Sequence, residues 1–367
     1  MRTVSYRHKY TRARRKRPTY ARRYRGYAPR TAHAARTYYT CNTREHAILP
    51  RVRAVLCLLI ALYVMFAPEP FRFRRPPDDI GPARFAADPE INVYDTTTRH
   101  IARMPLEEYV ARSVAAEMPA SYETEALKAQ AVAVRTRAIA GHCAKHPAAN
   151  VCTDSGCCQA YINEAGMRRK WGDSFERFYK RIVGTVNATR GEIITFDGEP
   201  ILVLYHAVSG GRTEDVEMVY AQALPYLRSV SSPGEEGASR YANERVYDRA
   251  SFANAVSAAV KGAGLNAAGL EKQVEVLARS ESGRVLRMRV GNKEITGRDF
   301  RGILGLNSTN FTLAYTDKSV IISEIGYGHG IGMSQAGANA MAKSGADYTQ
   351  IIRHYYTGVD ISRLDEL

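Results

Sequence analysis

Apolar residues recur at helical spacing between two prolines, Pro105 and Pro119. The apolar stripe of this run consists of Leu106, Val110 and Val114. Glu117 extends the stripe by a further step of three residues. Because proline suits the first turn of a helix and cannot continue one, the pattern predicts a helix between the two prolines. A carboxylate on the apolar face of this helix is its unusual feature.

A second helix is predicted to begin after Ser121, whose hydroxyl can cap it, and to end near Ala140. Its apolar stripe consists of Leu127, Ala131, Val134 and Ala138. Lys128 and Arg135 lie seven residues apart and therefore share a face beside this stripe. Charges at such positions are most often solvated, so these two indicate little by themselves.

Farther along the chain, helical and extended patterns come in blocks. Helices are predicted around 175–186, at 251–262 and in two segments near the C-terminus, the last opened by the capping-box pattern 347–350 and ended near Gly358. Strands are predicted within 191–206, with a turn at Asp197-Gly198, and at 274–278, 285–290 and 311–315. Because helices and strands do not alternate regularly, we expect an α+β fold of helices and antiparallel strands around a substrate cleft.

The formal net charge of +15 is concentrated in an N-terminal tail. Residues 1–53 carry 16 Lys and Arg against the single acid Glu45, so the rest of the chain is balanced. The tail interleaves Arg with Tyr and is expected to be disordered. It could contact anionic lipid or nucleic acid, or only fix topology. A nucleic-acid-binding protein is disfavoured, because the globular part does not share the positive charge.

Residues 54–67 form an uncharged apolar run that is followed by Pro68 and Pro70. The run is shorter than the roughly 20 residues that span a bilayer, so a buried core helix is one interpretation. The preceding basic block favours an uncleaved signal anchor over a cleaved signal peptide. We therefore expect a cytoplasmic tail at 1–53, a membrane helix at 54–67, a linker at 68–92 and an extracytoplasmic catalytic domain at 93–367.

Glu117 is the first candidate for chemistry. A carboxyl group among apolar side chains keeps its proton to higher pH, because desolvation disfavours the charged form. Such a group can act as a general acid near neutral pH. The alternative is a helix-end glutamate that faces solvent.

A cysteine-rich loop is the second candidate. Four of the six cysteines lie within residues 143–158, with His146 among them. Thiolates and an imidazole suit a tetrahedral zinc site, whereas disulfides such as Cys143–Cys152 would suit an oxidising compartment. The residues alone leave both open.

Two glycine-rich segments follow, at 209–213 and 326–337. The second is not a P-loop, because no Gly-Lys-Ser/Thr sequence follows its glycines. Ser334 could cap the next helix or act as a nucleophile with His329 as base, and capping is favoured because the surrounding elbow pattern is weak.

Taken in order, these motifs resemble the stage II sporulation protein D family. The matching segments are Leu106–Val110, Ala116–Pro119, Glu125–Thr136, Cys152–Tyr161, Ser209–Thr213, Pro225–Leu227 and Gly326–Gly337. The resemblance spans most of residues 100–360.

The resemblance implies a lytic transglycosylase that cleaves the β-1,4 bond between N-acetylmuramic acid and N-acetylglucosamine in glycan strands without stem peptides, leaving 1,6-anhydro ends. It assigns catalysis to Glu117, with Lys128 and Arg135 binding sugar or stabilising the ionised acid. Cleft-lining roles fall to Gln130, Ser209, Thr213, His329, Ser334 and Gln335. A non-catalytic wall-binding scaffold is the alternative.

The resemblance also implies a structural zinc held by His146, Cys152, Cys157 and Cys158, with Cys143 left aside. Cys157 stands where the family usually has histidine. The implied partners are peptidoglycan, a sporulation amidase and membrane scaffold proteins of the engulfment machinery, in the space between the membranes of the sporangium.

Overall fold

The computed structural model describes residues 88–220 and 222–366. Over these residues the predicted α+β class is confirmed, with helices and several small sheets. The α-helices are α1 (Leu106–Glu117), α2 (Thr124–Ile139), α3 (Glu164–Trp171), α4 (Phe175–Ala188), α5 (Arg249–Ala259), α6 (Leu270–Gln273), α7 (Gly297–Leu304), α8 (Gln335–Lys343) and α9 (Tyr348–Tyr355).

The strands are short. They are β1 (Glu90–Asp95), β2 (His100–Pro105), β3 (Val151–Cys152), β4 (Glu192–Phe196), β5 (Glu199–Pro200), β6 (Tyr205–His206), β7 (Gly211–Arg212), β8 (Ser231–Ser232), β9 (Ala242–Asp248), β10 (Val274–Arg279), β11 (Val285–Val290), β12 (Lys293–Thr296), β13 (Phe311–Tyr315), β14 (Ser319–Ile325), β15 (Met333–Ser334) and β16 (Asp360–Arg363). They pair in the orders β2-β1-β3, β10-β11-β12, β13-β14-β9, β16-β4-β5, β15-β6 and β7-β8.

The first hydrophobic core surrounds α2. This helix is buried on nearly every side and contacts α1, α4, α8, α9 and β4. A helix that is apolar around its circumference belongs in a core, and the alanines of α2 allow its neighbours to approach closely. The apolar stripe of α1, predicted as Leu106, Val110 and Val114, is fully buried in the same core.

A second hydrophobic core lies within residues 252–322. Its centre is a row of three aromatic rings, with Phe300 stacked on Phe311 at 5.4 Å between centroids and Phe252 6.3 Å from Phe300. The helix that carries Phe300 is α7. It begins with a capping box between Thr296 and Asp299, which satisfies the free amides of its first turn.

The predicted helices from 105 to 140, and the strands at 285–290 and 311–315, agree with the structure to within a few residues. The predicted turn at Asp197-Gly198 is present, and both residues have positive φ, as a tight hairpin requires. The extended pattern continues to His206 in the sequence, but it forms only the short pieces β5 and β6.

The sequence pattern did not reveal β1, β2, β9, β14 or α7. Strand β9 shows why, because its residues alternate between exposed and half-buried and none of them is fully buried. Its sequence therefore lacks the apolar alternation by which a strand is recognised. Strand β1 begins at Glu90, inside the segment 68–92 that was predicted to be a linker.

The predicted single-pass membrane location is not upheld. Within residues 88–220 and 222–366, no helix combines the length and apolar character that a bilayer crossing requires. Among the helices of the described residues, α2 is the longest, with 16 residues that include the charged Lys128 and Arg135. The predicted tail at 1–53 and the run at 54–67 lie outside the described residues.

Candidate active site

Glu117 is the last residue of α1. The helix ends here because Met118 adopts an extended conformation and Pro119 follows. The carboxylate is half-buried, and its Oε1 accepts hydrogen bonds from the Ala160 amide at 2.7 Å and from the Tyr205 hydroxyl at 3.1 Å. The acid therefore has a defined position at the edge of the first core.

Burial raises the pKa of Glu117 above the usual range of a glutamate. Hydrogen bonds from Ala160, Tyr205 and Gln335, and the positive charge of Lys170, oppose this shift without cancelling it. The carboxyl group thus keeps its proton to higher pH than a solvated glutamate. Within residues 88–220 and 222–366, no second carboxylate is among the main causes of the shift in the Glu117 pKa.

A chain of polar side chains positions the Tyr205 hydroxyl. Tyr205 accepts a hydrogen bond from Gln159 Nε2 at 3.0 Å, and Gln159 Oε1 accepts one from the Tyr109 hydroxyl at 3.1 Å. Tyr205 and Gln159 were not predicted as site residues. Tyr205 lies in the predicted extended pattern 191–206 and Gln159 in the matching segment Cys152–Tyr161, but they are 88 and 42 residues from Glu117 in sequence, so only the fold brings them together.

The glycine-rich loop reaches this site through β15. Met333 pairs with Tyr205 and Ser334 with His206 in parallel register. Gly332 makes the approach possible, because a Cβ atom there would lie 2.0 Å from the Leu204 carbonyl oxygen. The pairing brings Gln335 close enough to hydrogen-bond Glu117.

Ser334 caps α8. Its hydroxyl accepts a hydrogen bond from the Gly337 amide at 3.2 Å and is fully buried. His329 has other partners, since its Nδ1 accepts from the Ile331 amide at 3.0 Å. Burial and the nearby Arg301 lower the pKa of His329 to about 4, so its imidazole is neutral near pH 7. These contacts favour capping over a Ser334–His329 nucleophile pair.

Ser209 and Thr213 are buried in the turn after β6. The Ser209 hydroxyl donates to Glu235 Oε1 at 2.8 Å, and Thr213 Oγ1 accepts from the Val230 amide at 2.8 Å. Both hydroxyls therefore satisfy internal groups. Gln130 is buried as well, and its Oε1 accepts from Gln335 Nε2 at 3.3 Å, which places it behind Gln335.

The two predicted helix cations have different surroundings. Arg135 is fully buried and forms a two-bond ion pair with Glu107. Lys128 pairs with Glu125 at 2.7 Å, and its ammonium lies 5.5 Å from the Tyr348 ring centroid. The contacts of Arg135 hold the core together, and those of Lys128 link α2 to α9.

The cysteine-rich loop brings four thiols together. Cys143, Cys152, Cys157 and Cys158 have their Sγ atoms within 4.8 Å of one another, in an arrangement that could hold a metal ion. All four are free cysteines. Four thiolates at about 2.3 Å from a tetrahedral zinc would be about 3.8 Å apart. The Cys143–Cys157 separation of 3.6 Å and the Cys157–Cys158 separation of 3.9 Å fit this geometry.

The set differs from the predicted one at a single position. The structure brings Cys143 to the other three cysteines, whereas His146 stacks on Tyr94 with 3.5 Å between ring centroids. A tight turn explains the exchange, because the His146 amide donates to the Cys143 carbonyl oxygen and the two side chains separate. The family resemblance left Cys143 aside, whereas the structure places its thiol with the other three.

The structure thus defines an α+β chain with a half-buried acid at the end of a helix. A loop with four clustered thiols comes shortly before Ala160, whose amide hydrogen-bonds this acid. Residues 94–196 match the family model described as stage II sporulation protein. The chain is 36% identical over 279 residues to stage II sporulation protein D of Bacillus amyloliquefaciens, covering 75% of this chain and 79% of that protein.

Stage II sporulation protein D of Bacillus subtilis is 33% identical over 332 residues, which cover 85% of this chain and 95% of that protein. The chain belongs to the stage II sporulation protein D family. It is also 26% identical over 293 residues to the amidase enhancer of Bacillus subtilis, covering 67% of this chain and 39% of that protein.

Proposed function

We propose that this protein is a lytic transglycosylase that cleaves peptidoglycan glycan strands during sporulation. The observation that carries the proposal is Glu117, a half-buried acid with a raised pKa and two fixed hydrogen-bond donors at 2.7 and 3.1 Å. The stage II sporulation names of its relatives support the setting. The substrate is a strand without stem peptides, as the family resemblance implies.

The reaction uses one carboxyl group twice. Protonated Glu117 gives its proton to the glycosidic oxygen while the bond from that oxygen to C1 of N-acetylmuramic acid breaks. The C6 hydroxyl oxygen of the same sugar then bonds to C1, and its proton passes to the Glu117 carboxylate. The products are a 1,6-anhydro end and a free 4-hydroxyl, and no water is consumed.

The partners of Glu117 suit both halves of this cycle. The raised pKa keeps the acid protonated before the first step. The Ala160 amide and the Tyr205 hydroxyl then stabilise the carboxylate, because hydrogen bonds to a charged acceptor strengthen as its charge develops. Glycosidases that activate water use two carboxylates, one of them as base or nucleophile. The raised pKa of Glu117 and its two hydrogen-bond donors suit the single-acid route that the family resemblance implies.

We also propose that Cys143, Cys152, Cys157 and Cys158 hold a structural zinc ion. Four thiolate ligands close the coordination shell of zinc and leave no position for substrate. The ion would hold the loop that continues into Gln159 and Ala160, and it takes no part in bond cleavage. A sporulation amidase, which would remove the stem peptides, is the proposed partner.

Digestion of peptide-free glycan strands by the full chain, with products analysed by mass, tests the proposal. The wild type is expected to release fragments with anhydro ends, each one water lighter than a hydrolysis product. Glu117→Gln should reduce the rate by at least about 100-fold, the usual contribution of a general acid. The exposed Glu199→Gln is the matched control and should cleave normally.

Other products would contradict the proposal. Reducing ends would identify a hydrolase, and equal cleavage by wild type and Glu117→Gln would remove Glu117 from the mechanism. Strand binding without cleavage by either protein would favour the non-catalytic scaffold.

A further inference from the structure

A cavity of about 640 Å³ lies beside His329, between the segment 214–220 and the start of α7. Its volume is typical of a small-molecule site. One wall is apolar and includes Met218 and Tyr220, which are 45% and 41% exposed. Large apolar side chains left open at the rim of a cavity often mark a ligand groove.

Three arginines line the same cavity, namely Arg284, Arg298 and Arg301. Arg298 is exposed at the second position of α7, with its guanidinium 5.5 Å from the Tyr220 ring centroid. Arg301 follows three residues later, so the two project from one face of the helix. Within residues 88–220 and 222–366, none of the three forms an ion pair with a carboxylate.

Arg284 provides a second, buried element of the site. Its side chain is 2% exposed, and its two terminal nitrogens donate to the carbonyl oxygens of Arg212 at 3.0 Å and Ser209 at 2.7 Å. Its Nε is buried and has no hydrogen-bond partner in the described part of the chain. Nη1 also donates to the Ser282 hydroxyl at 3.0 Å, so the described residues offer this guanidinium only neutral hydrogen-bond partners. Burial lowers the pKa of Arg284, but an arginine stays protonated at neutral pH, so its positive charge remains beside the cavity.

The acids at this cavity are already engaged. Glu214 Oε2 accepts hydrogen bonds from Ser282 at 2.8 Å and from Ser280. Asp299 accepts from both the hydroxyl and the amide of Thr296 in the capping box of α7. Three guanidinium groups thus line the cavity against two carboxylates that already accept hydrogen bonds from neighbouring residues, so the cavity favours an anionic ligand.

Tyr205 connects this cavity with the proposed catalytic acid. Its backbone hydrogen-bonds His329, which lines the cavity, and its hydroxyl donates to Glu117. The two sites are therefore at opposite ends of one tyrosine. A sugar chain that places a glycosidic bond at Glu117 and runs along Tyr205 to His329 would bring a neighbouring unit to the arginines.

We infer that this cavity binds the free lactyl carboxylate of an N-acetylmuramic acid unit in the strand. The inference rests on the proposed function. That carboxylate is the anionic group of a stripped strand, and a stem peptide converts it to an amide without charge. An arginine-lined cavity would thus select strands from which the peptides have been removed.

Binding measured without cleavage tests the inference separately from the proposed function. In the Glu117→Gln protein, titration calorimetry would compare a tetrasaccharide of alternating N-acetylglucosamine and N-acetylmuramic acid with the same sugar carrying its carboxyl groups as methylamides. The free acid should bind about tenfold more tightly, as expected for hydrogen bonds to a charged group. Adding Arg298→Gln should remove most of this difference.

Arg287→Gln is the matched control. Arg287 is exposed on β11, next to the second core, and its guanidinium lies 3.2 Å from the Glu294 carboxylate. Neither residue lines the cavity. This variant should preserve the difference between acid and amide. With Glu117 intact, Arg298→Gln should raise KM for stripped strands about tenfold and leave kcat nearly unchanged, which is the signature of lost ground-state binding.

Equal affinity for acid and amide, or binding of neither, would overturn the inference even if the wild type cleaves strands. A preference for the acid that Arg298→Gln leaves intact would also overturn it. Inorganic phosphate that binds more tightly than the free-acid tetrasaccharide would assign the cavity to a phosphate ligand instead. Preference for the acid without cleavage by the wild type would support the cavity and contradict the proposed activity.

Discussion

Arg135 donates from Nε and Nη2 to the two carboxylate oxygens of Glu107, at 2.7 and 2.6 Å. The pair joins α2 to the start of α1 in the interior, where the arginine side chain is 0% and the glutamate side chain 3% exposed. Nη1 of Arg135 donates further to the Glu192 carbonyl oxygen at 2.9 Å. All these partners belong to the core, so we expect the arginine to stabilise the fold.

Removing one partner of this pair should destabilise the protein strongly. Arg135→Met leaves the Glu107 charge buried and unpaired, at a cost of about 3–5 kcal/mol in the free energy of unfolding. The double variant Glu107→Leu/Arg135→Met should recover much of this loss. Urea unfolding measures the stability, and cleavage of stripped strands measures the function. A well-folded double variant without activity would show that the Arg135–Glu107 pair contributes to cleavage beyond its effect on stability.

Lys128→Ala should change little. The Lys128–Glu125 pair is partly exposed and spans three residues of one helix, a contact worth less than about 1 kcal/mol. Its unfolding midpoint and its cleavage rate should stay close to those of the wild type. A rate loss of tenfold or more, in a protein of normal stability, would restore Lys128 as a substrate-binding group.

The pH dependence of cleavage should follow Glu117. The acid must be protonated to act, so kcat should be highest below its raised pKa and fall as pH rises through that value. Tyr205→Phe removes a hydrogen bond that favours the carboxylate, and the pKa of Glu117 should rise further. The alkaline limb of the profile should then move to higher pH.

Tyr315→Phe provides the control for this shift. Its hydroxyl donates to the Val274 carbonyl oxygen in the second core, at 2.9 Å. Its kcat profile should match that of the wild type. An alkaline limb that moves to lower pH in Tyr205→Phe would contradict the assigned hydrogen bond.

Metal content should distinguish Cys143 from His146. Cys143→Ser removes one of the four clustered thiols, so bound zinc, measured by mass spectrometry of the metal, should fall to a small fraction of one ion per chain. His146→Ala removes a ring that stacks on Tyr94 and should retain the metal. Loss of zinc in His146→Ala with retention in Cys143→Ser would reverse the assignment.

Two glycine substitutions should have opposite effects on stability. In Gly337→Ala, the new Cβ would lie 2.1 Å from both Ser232 Oγ and the Tyr355 hydroxyl, so unfolding should become easier by about 1–3 kcal/mol or more. Gly184 lies on the exposed side of α4 with open space around it, and Gly184→Ala should stabilise by about 0.5–1 kcal/mol. Thermal unfolding of both variants measures the contrast.

Much of the fold near Glu117 could be predicted from local sequence. Pro105, Pro119 and the stripe between them defined α1, because these signals act within a few residues of one another. The position of Glu117 at the end of that helix follows from the same signals. The pairing of Arg135 with Glu107, 28 residues away, depends on how α1 packs against α2, and no local pattern contains it.

The four-thiol cluster shows the same limit. The number of cysteines predicted a metal or disulfide site, but the choice between Cys143 and His146 depends on a turn and on the register of β1 with β3, where Tyr94 pairs with Cys152. Tyr205 and Gln159 were missed for a related reason. Their hydroxyl and amide groups have no catalytic signature in a sequence until an acid is brought beside them.

The two hydrophobic cores also differ in how early each can form while the chain is being synthesised. The first core combines residues 91–227 with residues 331–359, whereas the second uses only residues 252–322. Because a ribosome releases the chain from its N-terminus, the second core can close while the residues that finish the first are still unsynthesised. Glu117, the proposed catalytic acid, lies near the beginning of the first core and must wait for Gln335 and α8 from nearly the end of the chain.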